Sequence, residues 1–158
     1  MEGRNALPIL GEIMSETVNK KQEVSLKTLL TPSKTVSISY PEFEDFVVDL
    51  TYLAREELVK LRNRSLSQKF NKKTRGFDEQ LDEDKFLVEY CGAVIKGWKG
   101  LKYKFLKNLL LINTDGLDLE DELQFSQENA QTLMRNSSDF DTWITETVGD
   151  LENFTSDK

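Results

Sequence analysis

The amino-acid sequence predicts a mostly helical α+β fold, an N-terminal β-hairpin or small antiparallel sheet followed by about four helices. Three observations carry this prediction. Apolar and polar residues alternate between Val36 and Tyr52, the apolar spacing becomes helical after Ala54, and two serine-led helical segments close the chain. A period of two marks a half-buried strand and a period near 3.6 an amphipathic helix, so strands come first and helices after.

Residues 1–33 read as a weakly patterned arm. Leu10, Ile13, Met14 and Val18 fit one helical face, and the stretch reads equally well as an arm without fixed structure. "VSLKTLL" is a candidate third strand. In "KTVSISY", Val36, Ile38 and Tyr40 alternate with Ser37 and Ser39; in "DFVVDLTYL", Phe46, Val48, Leu50 and Tyr52 share one side. The two stretches form a hairpin or two strands of a small sheet. "AREELVKLRNRSLSQKF" predicts a helix with Leu58, Leu61 and Ser65 or Leu66 on its inner face. Glu56 and Glu57 in its first turn complement the positive end of the helix dipole.

"NKKTRGFDEQ" is polar, contains a glycine, and reads as a loop. The next helix starts near Asp82. Its broad apolar stripe comprises Phe86, Leu87, Tyr90, Cys91, Val94, Ile95 and Trp98, with Gly97 and Gly100 bracketing its end. Asn113–Gly116 is a turn. Ser126 caps a short helix that buries Ala130, Leu133 and Met134, with Phe125 placed to staple against Ala130. Ser138, followed by Asp141, caps the last helix, whose stripe is Phe140, Trp143, Ile144, Val148 and Leu151. Residues 34–154 make one domain and residues 155–158 a frayed tail.

The longest apolar run, Leu109–Ile112, is far short of the roughly 20 residues of a membrane span, so no membrane partner is expected. The first residues show no signal-peptide pattern. A lone cysteine, Cys91, excludes an internal disulfide framework and suits a reducing cytoplasm. The net charge of −7 is unevenly spread. Leu58–Phe77 holds seven basic residues and no acid, whereas the chain from Asn113 onward has twelve acids against Arg135 and Lys158.

Catalytic chemistry finds little to stand on. Histidine is absent, removing the commonest general base and metal ligand. Cys91 lies on an apolar helical stripe and reads as a small core residue. "LINTDGLDLEDE" resembles a calcium loop at Asn113, Asp115, Gly116 and Glu122, but Leu111 occupies the first ligand position and offers no side-chain oxygen. It reads as a solvated acidic turn. "GWKG" is too short for a phosphate-binding loop. The expectation is a non-enzyme with no cofactor and no metal.

The basic stretch Lys60–Arg75 carries a rival reading, a nucleic-acid-binding or regulatory protein. Its aromatic interleaving is limited to Phe70 and Phe77, and a pI near 4.8 argues against nucleic acid as a partner. A solvated helix face with a polar loop, or a surface that meets an acidic patch on another protein, fits the same residues.

The order "VIKGWKGL", a linker ending in Asp115-Gly116, "LQFSQENAQTLM" and "DFDTWITETVGDLENF" resembles the tail assembly chaperones of long-tailed, lambda-like siphophages. The weight rests on Trp98-Lys99-Gly100-Leu101, Phe125-Ser126-Gln127-Glu128-Asn129 and the final amphipathic helix; upstream, "FVVDLTYLAREELVKLRNRS" is similar to that family's strand-to-helix passage. The resemblance spans about Thr35 to Phe154. Residues 1–33 have no counterpart in it, and "KYKFLKNLLLINTDGLDLEDEL" is a long insert.

This resemblance implies a non-catalytic helper in the host cell cytoplasm. Such proteins hold the long, helical, aggregation-prone tape measure protein, help recruit tail tube protein, and are missing from the mature virion. Self-association in a spiral or ring follows as a further expectation. A temporary holder needs apolar surface rimmed by charge. Candidate partner-binding residues are Trp98, Leu101, Phe105, Leu109, Leu110, Trp143 and Ile144, all of which also fit a core. A structural tail completion component retained in the virion is the other alternative.

Overall fold

The computed structural model describes residues 24–155. The predicted face of Leu10, Ile13, Met14 and Val18 lies outside them. The chain divides into two units, Met1–Pro32 and Ser33–Lys158. In the first, the described part holds one helical turn, α1 (Leu26–Leu29), instead of the expected strand. Ser25 ties this turn locally, its carbonyl accepting from the Thr28 amide at 3.0 Å and the Thr28 hydroxyl at 2.7 Å. A single turn closed by its own threonine needs no partner strand.

The second unit is α+β. β1 (Thr35–Ser39) pairs antiparallel with β2 (Val47–Thr51), with Val36 opposite Leu50 and Ile38 opposite Val48. The alternation read from the sequence holds: Tyr40, Phe46, Val48 and Leu50 are buried. Next come α2 (Arg55–Arg64), the strands β3 (Leu66–Asn71) and β4 (Gly76–Leu81), and α3 (Glu83–Val94). β5 (Ile95–Lys99) then completes a sheet of order β1-β2-β5, pairing antiparallel with β2. The remaining helices are α4 (Tyr103–Leu109), α5 (Gln127–Asn136), α6 (Ser138–Gly149) and α7 (Glu152–Thr155).

Two predicted elements change type. The apolar spacing carries the α3 stripe on through Ile95 and Trp98, but the helix stops at Val94 and both residues lie in β5. Trp98 sits opposite Val48 and Ile95 opposite Leu50, so a place in the sheet outweighs the helical spacing. Likewise the expected helix and loop across residues 65–80 form a two-stranded ribbon. Phe70 lies opposite Phe77, and the Asn71 side-chain carbonyl accepts from the Lys73 amide at 2.9 Å, shaping the tip. Ser65 seals the ribbon's base. Its buried hydroxyl donates to the Leu61 carbonyl at 2.8 Å, and its own carbonyl accepts from the Asp82 amide at 2.8 Å.

Of the two predicted serine caps one holds and one shifts, and Asp82, the predicted start of its helix, proves to be a cap as well. Asp82 accepts from the Lys85 amide at 3.1 Å, and Ser126 from the Asn129 amide at 3.0 Å. The last long helix is capped by Ser137, not Ser138: its hydroxyl accepts from the Phe140 amide at 3.2 Å. Ser137 thereby ends α5 and starts α6. Leu151, expected on the α6 stripe, falls beyond the helix and is 52% exposed, while Phe154 is buried instead.

Aromatic residues knit the sheet to the helices. Phe46 and Phe140, both fully buried, face each other at 6.2 Å, and Phe46 meets the edge of Trp98 at 6.3 Å. Burying each such ring contributes roughly 2–3 kcal/mol.

Candidate functional site

The residues expected to bind a partner divide by burial. Trp98, Leu101, Leu109 and Ile144 are buried in the core, where a partner reaches them only by opening the fold. Phe105, Leu110 and Trp143 are half-buried. Phe105 stacks on Phe43 at 4.7 Å, and Trp143 meets the face of Tyr40 edge-on at 4.9 Å. Tyr40 and Phe43 stack at 5.1 Å and so link Trp143 to Phe105.

The tryptophan-glycine motif is a clamp. The Trp98 indole N–H donates to the Leu123 carbonyl at 2.9 Å, and the Leu123 amide donates to the Leu101 carbonyl at 2.8 Å. Gly100 donates its amide to Glu122 Oε1 at 2.6 Å. Gly100 has a φ of 75°, and a Cβ there would stand 1.9 Å from the Asp45 carbonyl oxygen. Only glycine fits. The end of the long insert is thus tied back to the strand it left, so "GWKGL" and "EL" are two halves of one structural joint. Lys102 adds a surface network of four charges, reaching Asp45 at 3.3 Å and Glu120 at 3.2 Å, with Lys104 on Glu120 at 2.9 Å. Hydrogen bonds to Glu120 and then Asp45 raise the Lys102 pKa, and those from Lys104 and then Lys102 lower that of Glu120.

A concave surface lies elsewhere, between α2, α3, α5 and α6. It is an apolar groove of about 600 Å³, within the range of ligand and peptide sites. α2 contributes Leu58, β4 contributes Leu81, and α3 contributes Phe86, Leu87 and Tyr90. Met134 and Val148 form part of the floor, and Leu53 comes from the turn before α2. Among the described residues, the only charged ones in the lining are Glu83 and Asp141. The groove is therefore greasy within and acidic at its lip.

Its origin lies in helix spacing. On α2, Leu61 is buried but Leu58, one turn earlier, is 39% exposed. On α3, Cys91 and Val94 take the core, leaving Phe86, Leu87 and Tyr90 half-buried along the flank. The α3 stripe is wider than one core contact requires, and that excess width is the signal in the sequence. Burial pushes the Tyr90 hydroxyl up to about 12, with the neighbouring Thr145 pulling the other way and Asp141 adding to the rise. Burial likewise pushes the Cys91 thiol up to about 11. Both stay protonated at neutral pH, and neither is primed as a nucleophile. Among the described residues, no three Cys, His, Asp or Glu side chains group as a metal site.

A family model described as "YdaY prophage protein" matches residues 51–158, which hold every groove residue and the whole clamp. The chain belongs to the YdaY prophage protein family. It is accordingly a phage-derived protein. No curated protein and no solved structure matches it. The tail-assembly role implied by the motif order is a finer statement than the family description makes.

Proposed function

We propose that this prophage protein is a non-catalytic tail assembly chaperone that holds the tape measure protein through the groove between α2, α3, α5 and α6. The observation carrying this reading is the groove itself: an open apolar channel whose only charges among the described residues are Glu83 and Asp141 at the lip. An amphipathic helix seats side chains spaced at i, i+3, i+4 and i+7 in such a channel, and basic residues beside its apolar stripe meet the two acids. Long helical clients present that pattern repeatedly. Half-buried side chains already shielded from water on one side bind with modest surplus energy, which suits a holder that must let go.

On this reading the protein acts in the host cytoplasm while tails are built, hands its client to polymerising tail tube protein, and leaves before the virion matures. Co-expression with a tape measure protein tests it. The client should move from the insoluble to the soluble fraction, and Leu58→Glu should abolish the effect. A client equally insoluble with and without the protein removes the proposal. Finding the protein at fixed stoichiometry in purified virions would instead make it a retained tail component.

A further inference from the structure

The ribbon of β3 and β4 presents surface that the groove does not use. Cross-strand neighbours Phe70 and Phe77 lie edge to face at 5.6 Å and are 53% and 67% exposed. Lys69, Lys72, Lys73 and Arg75 surround them at the ribbon's tip, and none makes an ion pair among the described residues. The only nearby acids on the ribbon are Asp78, which accepts from the Asn71 side-chain amide at 2.8 Å, and Glu79. Two aromatic rings left in water inside a cationic rim call for an apolar seat with acidic edges.

The same chain carries an apolar notch followed in sequence by an acidic turn. After α4, Leu110, Leu111 and Ile112 line a notch of about 380 Å³ with Thr132 and Asn136 of α5. Leu111 is fully exposed, and Leu117 in the following turn is 45% exposed. Asp115, Asp118 and Asp121 stand in this segment without ion pairs among the described residues, whereas Glu120 is engaged by Lys102 and Lys104. No lysine or arginine occurs between Lys107 and Arg135.

We infer that the aromatic, basic ribbon of one molecule docks on the apolar, acidic Leu110–Asp121 surface of a second copy of this chain. Both patches are exposed in the same molecule, so neither is satisfied by the other internally. They differ in composition and lie on different elements, so the contact is heterologous and propagates head to tail as a chain or ring. A net charge of −7 disfavours a polyanion as the ribbon's occupant. The inference stands apart from the client reading, because neither patch belongs to the groove lining except through Leu81 at the ribbon's base.

Sedimentation of the purified full chain tests it. The mean mass should rise with concentration and fall as salt screens the charges. A ribbon variant, Phe70→Ser with Phe77→Ser, and a notch variant, Leu111→Asp with Ile112→Asp, change exposed side chains and should keep the wild-type melting profile. Each should sediment as a monomer alone. Mixed together they should form a 1:1 dimer and nothing larger, because one intact ribbon then meets one intact notch. A wild-type monomer at every concentration, self-association that survives both variants, or a mixture that fails to pair overturns the inference. So does a wild-type monomer that binds a single-stranded oligonucleotide through the ribbon phenylalanines, which would assign the ribbon to nucleic acid.

Discussion

Replacing Gly100 by alanine should damage this fold more than the same change at any other described glycine. With φ at 75°, an alanine there incurs left-handed strain of about 1–2 kcal/mol. Its Cβ would stand 1.9 Å from the Asp45 carbonyl oxygen, a contact that only backbone movement relieves. That movement lengthens the 2.6 Å bond from the Gly100 amide to the Glu122 carboxylate. A hydrogen bond to a charged group contributes about 1.5–3 kcal/mol. Reduced freedom of the unfolded chain offsets about 0.4–1 kcal/mol of the loss. The net loss is about 1.5–4.5 kcal/mol, a large share of the 5–15 kcal/mol typical of a domain. At roughly 3–5 °C per kcal/mol, the midpoint should fall by about 5–20 °C. Gly116 supplies the control: its φ is 80°, but a Cβ added there would meet nothing within 4 Å. Gly116→Ala should therefore cost only the strain, about 1 kcal/mol. Thermal and urea melts of the two variants compare clash plus strain with strain alone. Equal midpoints for both would refute the claim that the Gly100–Asp45 approach constrains the clamp.

Trp98→Phe removes the indole donor and leaves the Leu123 carbonyl without its 2.9 Å partner, so urea denaturation should show a loss of about 1–3 kcal/mol. Leu58→Glu sits on an exposed flank and should leave stability within about 0.5 kcal/mol of wild type, while weakening client binding at least about tenfold in titration calorimetry. The Cys91 thiol, raised by burial from 9.0 to about 11, binds its proton more tightly folded than unfolded. Its contribution is complete below pH 9 and lost as pH rises towards 11, so wild type should lose up to about 2–3 kcal/mol more across that window than Cys91→Ala does.

How much of this was legible in the sequence depends on the range of the interactions involved. β1 and β2 could be read because one face of each is buried, and alternation records that directly. The helix start at Asp82 and the cap at Ser126 could be read because they are made within three residues. β5 could not, because Ile95 and Trp98 fit the α3 stripe as well as the sheet, and only pairing with β2 decides between them. The β3–β4 ribbon hid behind its polar composition, its one apolar pair near the tip being Phe70 and Phe77. The groove joins the flank of α3 to residues of α2, β4, α5 and α6, so the wide α3 stripe hinted at it but no contiguous motif announced it. The tryptophan-glycine pattern is visible in the sequence, but its meaning changes in the fold: Trp98 and Leu101 bind Leu123 within the chain and build structure instead of contact surface. Stickiness judged from apolar content alone selects core residues as well as exposed ones, and the exposed apolar residues include Leu58, Phe70, Phe77 and Leu111.

Hydrogen exchange on the protein alone and in the presence of a tape measure protein tests the holding role most directly. The account predicts added protection in α2, α3 and α6 along the groove, lost in Leu58→Glu. An unchanged exchange pattern with client in excess, or protection confined to surfaces away from those helices, would contradict it.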